Sequence, residues 1–124
     1  KIKEISYRHA EGYAAGELKH GPIALIDSST CAIVLNPKDD VSAKTLSNLQ
    51  EIKARSGWII GVGVGKHDAF RKECNEYLAL PEADWALSPM LYVVPLQLMA
   101  YGLAKQLGCD IDKPRNLAKS VTVE

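Results

Sequence analysis

The chain has 124 residues, enough for one domain with its own core, and 47% of them are hydrophobic, as in an ordinary globular protein. Fifteen basic residues balance fifteen acidic ones, which argues against the basic footprint that nucleic-acid or anionic-membrane partners require. Cys31, Cys74 and Cys109 are odd in number, widely spaced and without a CxxC pair, so they suggest neither a zinc site nor a disulfide framework and read as reduced thiols of a cytoplasmic protein.

The chain opens on Lys1-Ile2-Lys3-Glu4, with no methionine and no N-cap residue ahead of it. That reads as the middle of a helix, and the expectation is a fragment of a longer chain. Residues 1–8 should be helical, Ile2 and Ile5 sharing a face with Ser6, and Glu4 lying one turn before Arg8. Gly12 and Gly16 loosen this helix, and a second short one is expected over residues 14–19. It should stop near Lys19 or His20, because Gly21 can adopt φ > 0 and Pro22 cannot continue a helix. Residues 23–26 are apolar and lead into a turn at Asp27-Ser28-Ser29.

Residues 31–35 are an unbroken apolar run ended by Asn36-Pro37, the pattern of a strand buried on both faces of a parallel sheet. Residues 42–56 place Ala43, Leu46, Leu49 and Ile52 at helical spacing, with Ser42 or Asp40 as cap and Gly57 as stop. Trp58–Val64 reads as a second buried strand, and residues 75–80 as a third, ended by Pro81. Residues 86–107 form a long helix that ends at Gly108 and is kinked, or short of one backbone bond, at Pro95. Ser88, Pro89, Pro95, Gln97 and Gly102 interrupt its apolar run, so a buried helix is expected rather than a membrane span. Tyr92, Met99 and Tyr101 recur near helical spacing and read as core contacts. Residues 110–124 show no period; Arg115 is placed to anchor them on a carboxylate. The alternation of elements gives an α/β fold, a three-layer sandwich with a mostly parallel sheet, although three strands are few for such a sheet.

The first 22 residues concentrate the chemistry: Glu4, Glu11, Glu17, His9, His20, Lys1, Lys3 and Lys19. Lys3-Glu4-Ile5-Ser6-Tyr7, His9-Ala10-Glu11 and the run from Tyr13 to Pro22 form one signature. Pro114-Arg115-Asn116-Leu117-Ala118-Lys119-Ser120-Val121-Thr122-Val123-Glu124 forms another at the far end. On these residues the chain resembles the sugar isomerase (SIS) domain of the glucosamine-6-phosphate synthase family, the isomerizing glutamine–fructose-6-phosphate aminotransferases. The resemblance implies a flavodoxin-like SIS subdomain, the second of two, incomplete at its N-terminus with its first strand ahead of Lys1. Residues 1–124 would form that one subdomain fragment, with residues 110–124 as the C-terminal tail.

Ketose–aldose isomerisation needs a group that opens the sugar ring, a base that carries a proton between C1 and C2, and a group that stabilises charge or holds the ketose carbonyl as a Schiff base. Read alone, Glu4 is a surface glutamate paired with Lys1 or Arg8, His20 a helix-end histidine on the dipole, and Lys119 a solvated lysine. The resemblance instead makes Glu4 the isomerisation base, His20 the ring opener and Lys119 the ketose-binding amine. It places Lys1, Leu117 and Ala118 at the substrate. It also implies a homodimer in which His20 reaches the neighbouring subunit, with fructose 6-phosphate as substrate, glucosamine 6-phosphate as product, and no metal or organic cofactor. His9, Glu11 and Glu17 take structural roles. Arg8 stands where the family pattern is often apolar. The alternative is a non-catalytic sugar-phosphate-binding SIS module, which would need the pocket but not the proton carriers; a structural dimerisation module and a deglycase are further rivals. The glycine run from Gly61 to Lys66 lacks phosphate-loop spacing, and His67-Asp68 lacks partner ligands for a metal.

Overall fold

A computed structural model describes residues 1–116. Its regular elements are helix α1 (Ile2–Ser6), strand β1 (Cys31–Asn36), helix α2 (Ser42–Lys53), strand β2 (Trp58–Val64), helix α3 (Asp68–Arg71), strand β3 (Glu76–Leu80) and helix α4 (Ser88–Gln106). Single 3-10 segments occupy Ala15–His20, Pro22–Leu25 and Trp85–Leu87. The chain groups into two compact units: Tyr13–Tyr92, and Lys1–Gly12 with the chain from Val93 onward.

In the first of these the strands run β1-β2-β3, all parallel, with Cys31 opposite Trp58 and Ile60 opposite Glu76. The fold is α/β with a parallel sheet, as the alternation of elements predicts. Leu49 and Ile52 of α2 and Phe70 of α3 pack with Val34 and Ile59 of the sheet into one core. Burying each such side chain stabilises by about 1.5–3 kcal/mol. Burial on both faces holds for the central strand, where Ile59 and Val62 are fully covered. It does not extend to the flanking strands, whose Leu35 and Leu78 remain exposed. Each of these strands has only β2 beside it among the described residues, so an apolar run is not enough to bury it.

The ends of α2 differ from the expected caps. Neither Ser42 nor Asp40 caps it; Val41 holds that position without a side-chain bond, and Asp39 Oδ1 accepts the Val41 N–H at 3.0 Å. At the other end Ser56, not Gly57, takes the left-handed conformation, at φ 66°. Ser56 N–H donates to Lys53 O at 2.9 Å and Gly57 N–H to Ile52 O at 3.3 Å, the paired bonds of a Schellman turn. Gly57 is needed for space instead, since a Cβ there would lie 2.8 Å from an Ile52 methyl carbon and 2.9 Å from one of Ile26.

In the second unit α1 covers five residues and stops before the expected residue 8, because Tyr7 turns left-handed at φ 58°. Ser6 Oγ donates back to Ile2 O at 2.7 Å. Ile5 is buried with Ala100 and Ala104 of α4, and Ile2, Cys109 and Ile111 pack around them. Helix α4 ends in another Schellman turn: Gly108, at φ 68°, donates to Lys105 O at 3.1 Å, and Cys109 N–H to Ala104 O at 3.0 Å. Asp110 Oδ1 then accepts the N–H groups of Asp112 and Lys113, fixing the following turn.

The expectation that residues 86–107 are a buried helix is corrected. Met90, Val94 and Leu98, spaced four apart, form an exposed stripe, Met90 at 66% and Leu98 at 64%. Tyr101 is also exposed, whereas Tyr92 is buried as a core contact. The 22-residue stretch Trp85–Gln106 contains an 18-residue window of mean hydropathy 1.4 and is long and apolar enough to cross a membrane by length and composition; the core helix of a soluble protein passes the same test.

Candidate active site

Helix α1 places Lys1 one turn before Glu4. Lys1 Nζ donates to both Glu4 carboxylate oxygens, at 2.9 and 2.7 Å, and the Glu4 side chain retains 29% exposure. A pair this open is worth about 0–1 kcal/mol in stability, so its consequence is orientation of the carboxylate. Arg8, the other partner considered for Glu4, lies past the left-handed Tyr7 and forms no ion pair among the described residues.

His20 closes the 3-10 segment Ala15–His20, and Gly21 follows at φ 144°. The stop falls where the Gly-Pro pair predicts, although Pro22 then opens the next 3-10 segment instead of ending helical structure. His20 Nε2 lies 3.9 Å from Glu17 Oε2 and the imidazole is 75% exposed. The structure thus brings Lys1 and Glu4 together and leaves His20 available on the surface of the other unit. Lys119, Leu117 and Ala118 lie outside the described residues.

The segment after α1 is held by charge. Lys3 Nζ donates to Glu11 Oε1 at 2.9 Å, and this bond, with the lysine charge, lowers the Glu11 pKa below its ordinary value. His9 Nε2 lies 3.8 Å from the same oxygen. Arg115 anchors its segment, but on an aromatic side chain instead of the expected carboxylate. Its N–H donates to the Tyr7 hydroxyl at 2.8 Å and its guanidinium lies 4.1 Å over the Tyr7 ring. Tyr7 was legible only as part of the signature; its backbone turn, which the sequence does not announce, decides what it can meet.

A cleft of about 440 Å³ opens at the carboxyl ends of the strands, lined by Lys38 and Asp39 after β1, Val64 of β2 and Glu82 after β3. Open parallel sheets bind ligands at this end. Two buried polar atoms of the same unit, Asn36 Oδ1 and the Tyr92 hydroxyl, find no hydrogen-bond partner among the described residues. The glycine run of β2 serves packing: a Cβ on Gly61 would collide with Cys74 Sγ, and one on Gly63 would lie 2.8 Å from the Tyr77 hydroxyl. His67 Nε2 meets Ser42 Oγ at 3.2 Å, and no cluster of metal-ligating side chains occurs among the described residues.

The parallel α/β sheet with a cleft at its strand ends places the first unit in the open-sheet class. The family description that matches is the SIS domain, over residues 1–105, and the chain belongs to that family. It is 52% identical over 124 residues to a protein of Aquifex aeolicus named glutamine–fructose-6-phosphate aminotransferase [isomerizing], covering 100% of this chain and 21% of that protein. A protein of the same name from Rhizobium meliloti is 56% identical over 125 residues, again with 100% of this chain and 21% of its own length covered. The chain therefore spans about a fifth of the length of these curated relatives. Among solved structures, the C-terminal domain of glucosamine-fructose-6-phosphate aminotransferase from Francisella tularensis matches with a TM-score of 0.81 and 40% identity, over 90% of this chain and 32% of that one.

Proposed function

We propose that this chain is the second SIS subdomain of an enzyme that joins ammonia from glutamine to fructose 6-phosphate and isomerises the product to glucosamine 6-phosphate. The observation that carries this reading is the 52% identity, across the whole chain, to a relative bearing that enzyme's name. The Lys1–Glu4 pair adds a local reason, because it holds a carboxylate oriented and still reachable.

In this reading Lys119 condenses with the C2 carbonyl of the open-chain ketose and releases water. Ammonia then displaces the lysine, leaving nitrogen on C2. Glu4 removes a proton from C1 and returns one to C2, which leaves the aldehyde at C1. His20 moves the ring-opening proton, and its exposure suits service in the site of a second subunit. Lys1, Leu117 and Ala118 contact the sugar. The chemistry requires no metal, and the enzyme would be a cytoplasmic homodimer.

Two experiments test the reading on the full-length protein that carries this chain. Borohydride added with fructose 6-phosphate should leave a reduced sugar adduct on Lys119 by peptide mapping; confirmed sugar binding without that adduct would remove the covalent role. Glu4→Gln should bind sugar and stop isomerising. If that variant keeps full turnover, Glu4 is not the base and a non-catalytic sugar-phosphate module becomes the better account. Mixing Glu4→Gln with His20→Ala subunits addresses the dimer. Recovery of activity in the mixed species is expected if His20 acts across the interface, and no recovery would place it in its own subunit's site.

A further inference from the structure

We infer that the cleft lined by Lys3, Tyr7, Arg8, His9, Arg115 and Asn116 binds the phosphoryl group of a small phosphorylated metabolite, at a site distinct from Glu4 and His20. The cleft measures about 360 Å³, and neither Glu4 nor His20 lines it. The inference does not rest on the catalytic reading; it holds or fails whether or not Glu4 is a base.

The argument begins with charge. The whole chain is neutral, yet three permanent cations, Lys3, Arg8 and Arg115, line this one cleft beside His9. The opposing carboxylate is Glu11, and it is already engaged by Lys3 at 2.9 Å, with His9 at 3.8 Å. Neither Arg8 nor Arg115 has a carboxylate partner among the described residues. Two guanidinium groups without a carboxylate partner among the described residues favour an oxyanion, and their planar donor geometry suits phosphate.

Geometry adds a second reason. Stacking on the Tyr7 ring at 4.1 Å fixes the Arg115 guanidinium before any ligand arrives, so less side-chain freedom is lost on binding. The Tyr7 hydroxyl accepts the Arg115 N–H at 2.8 Å, which leaves its own proton available for donation to an anion. The left-handed turns at Tyr7, φ 58°, and Asn116, φ 60°, lie on the two chain segments that bring these groups together. The cleft leaves room beside a phosphoryl group for the body of a small ester.

The test is arginine labelling by phenylglyoxal on the full-length protein, mapped by peptide mass. Inorganic phosphate and glucose 6-phosphate are compared with sodium chloride at equal ionic strength. Either phosphate compound should slow labelling of both Arg8 and Arg115 by about fivefold or more, the loss expected when a charge-assisted contact covers the guanidinium. Protection of both arginines by inorganic phosphate supports the inference; protection by the sugar phosphate alone overturns it, because the sugar site proposed at Leu117, Ala118 and Lys119 adjoins Asn116 and would account for it. Arg8→Ala, which removes no ion pair among the described residues, should abolish the protection of Arg115 while leaving the circular dichroism unchanged. Equal labelling in phosphate and chloride overturns the inference, as does full protection of Arg115 in Arg8→Ala. So does labelling that is suppressed without ligand and released by Glu124→Gln, which would assign the cleft to the chain's own carboxylate.

Discussion

Arg115 reaches across 108 positions of sequence to Tyr7, donating its N–H to the hydroxyl at 2.8 Å and laying its guanidinium 4.1 Å above the ring. The two contacts are separable. Tyr7→Phe keeps the ring under the guanidinium and removes the acceptor, which should cost about 1 kcal/mol. Tyr7→Ala removes both and should cost roughly 0.5–1 kcal/mol more, the worth of an exposed cation–π contact. Urea denaturation of the two variants checks the order. Equal losses would mean that the ring contributes nothing beyond its hydroxyl.

Gly61 should not tolerate a side chain. Its absent Cβ leaves room for Cys74 Sγ, and an added one would also approach the Phe70 ring at 3.0 Å. Phe70 belongs to the core that joins α2 and α3 to the sheet, so the clash cannot be moved to the surface. Gly61→Ala is expected to destabilise by about 1–3 kcal/mol through overpacking. Cys74→Ala removes the sulfur that is struck, so the double variant should lose less than the sum of the two single losses. Additive losses in urea denaturation would show that the sulfur is not the obstacle.

The same two positions show where sequence reading succeeds and where it stops. Alternation of apolar runs with amphipathic spacing located β2 to the residue, and α2 and β3 to within a few residues, because the spacing of apolar residues is written locally. The reason for the glycines of β2 was not local: Cys74 and Tyr77 come from segments that follow, and only pairing brings them over Gly61 and Gly63. The exposed stripe on α4 escaped for a related reason, since an apolar pattern records which face can be buried and not what lies against it. In the candidate site, spacing offered both Lys1 and Arg8 as partners of Glu4, and the left-handed turn at Tyr7, a residue type that seldom adopts one, both sets Arg8 aside and makes the Tyr7–Arg115 contact.

Asp27 should govern part of the response to acid. Its carboxylate accepts from the Ser29 hydroxyl and N–H and from the Thr30 hydroxyl, and these bonds lower its pKa below the ordinary value. A carboxyl depressed in the folded state binds fewer protons there than when unfolded. Its contribution is therefore present above its unfolded pKa, about 4, and is lost as pH falls through the folded value. Asp27→Asn should flatten the fall in stability below about pH 4. Chemical denaturation between neutral and acid pH reads this directly; an acid limb unchanged by the substitution would mean that other carboxylates account for it.

Tyr92 acts at the opposite end of the pH scale. Burial, reinforced by the nearby Tyr77 and Asp39 charges, pushes its phenol up to about 12. The neutral form is the one the fold retains, so its stabilising contribution is intact below the unfolded pKa, about 10, and disappears as pH rises through about 12. The hydroxyl is also buried without a partner among the described residues, a condition that costs about 1–3 kcal/mol. Tyr92→Phe removes the ionisable group and the unpaired oxygen together while the ring keeps its place. It should raise stability near neutral pH by about 1 kcal/mol and move the midpoint of alkaline unfolding upward. A loss of stability at neutral pH would mean that the hydroxyl has a bonding partner, and an unmoved alkaline midpoint would assign that transition to another group.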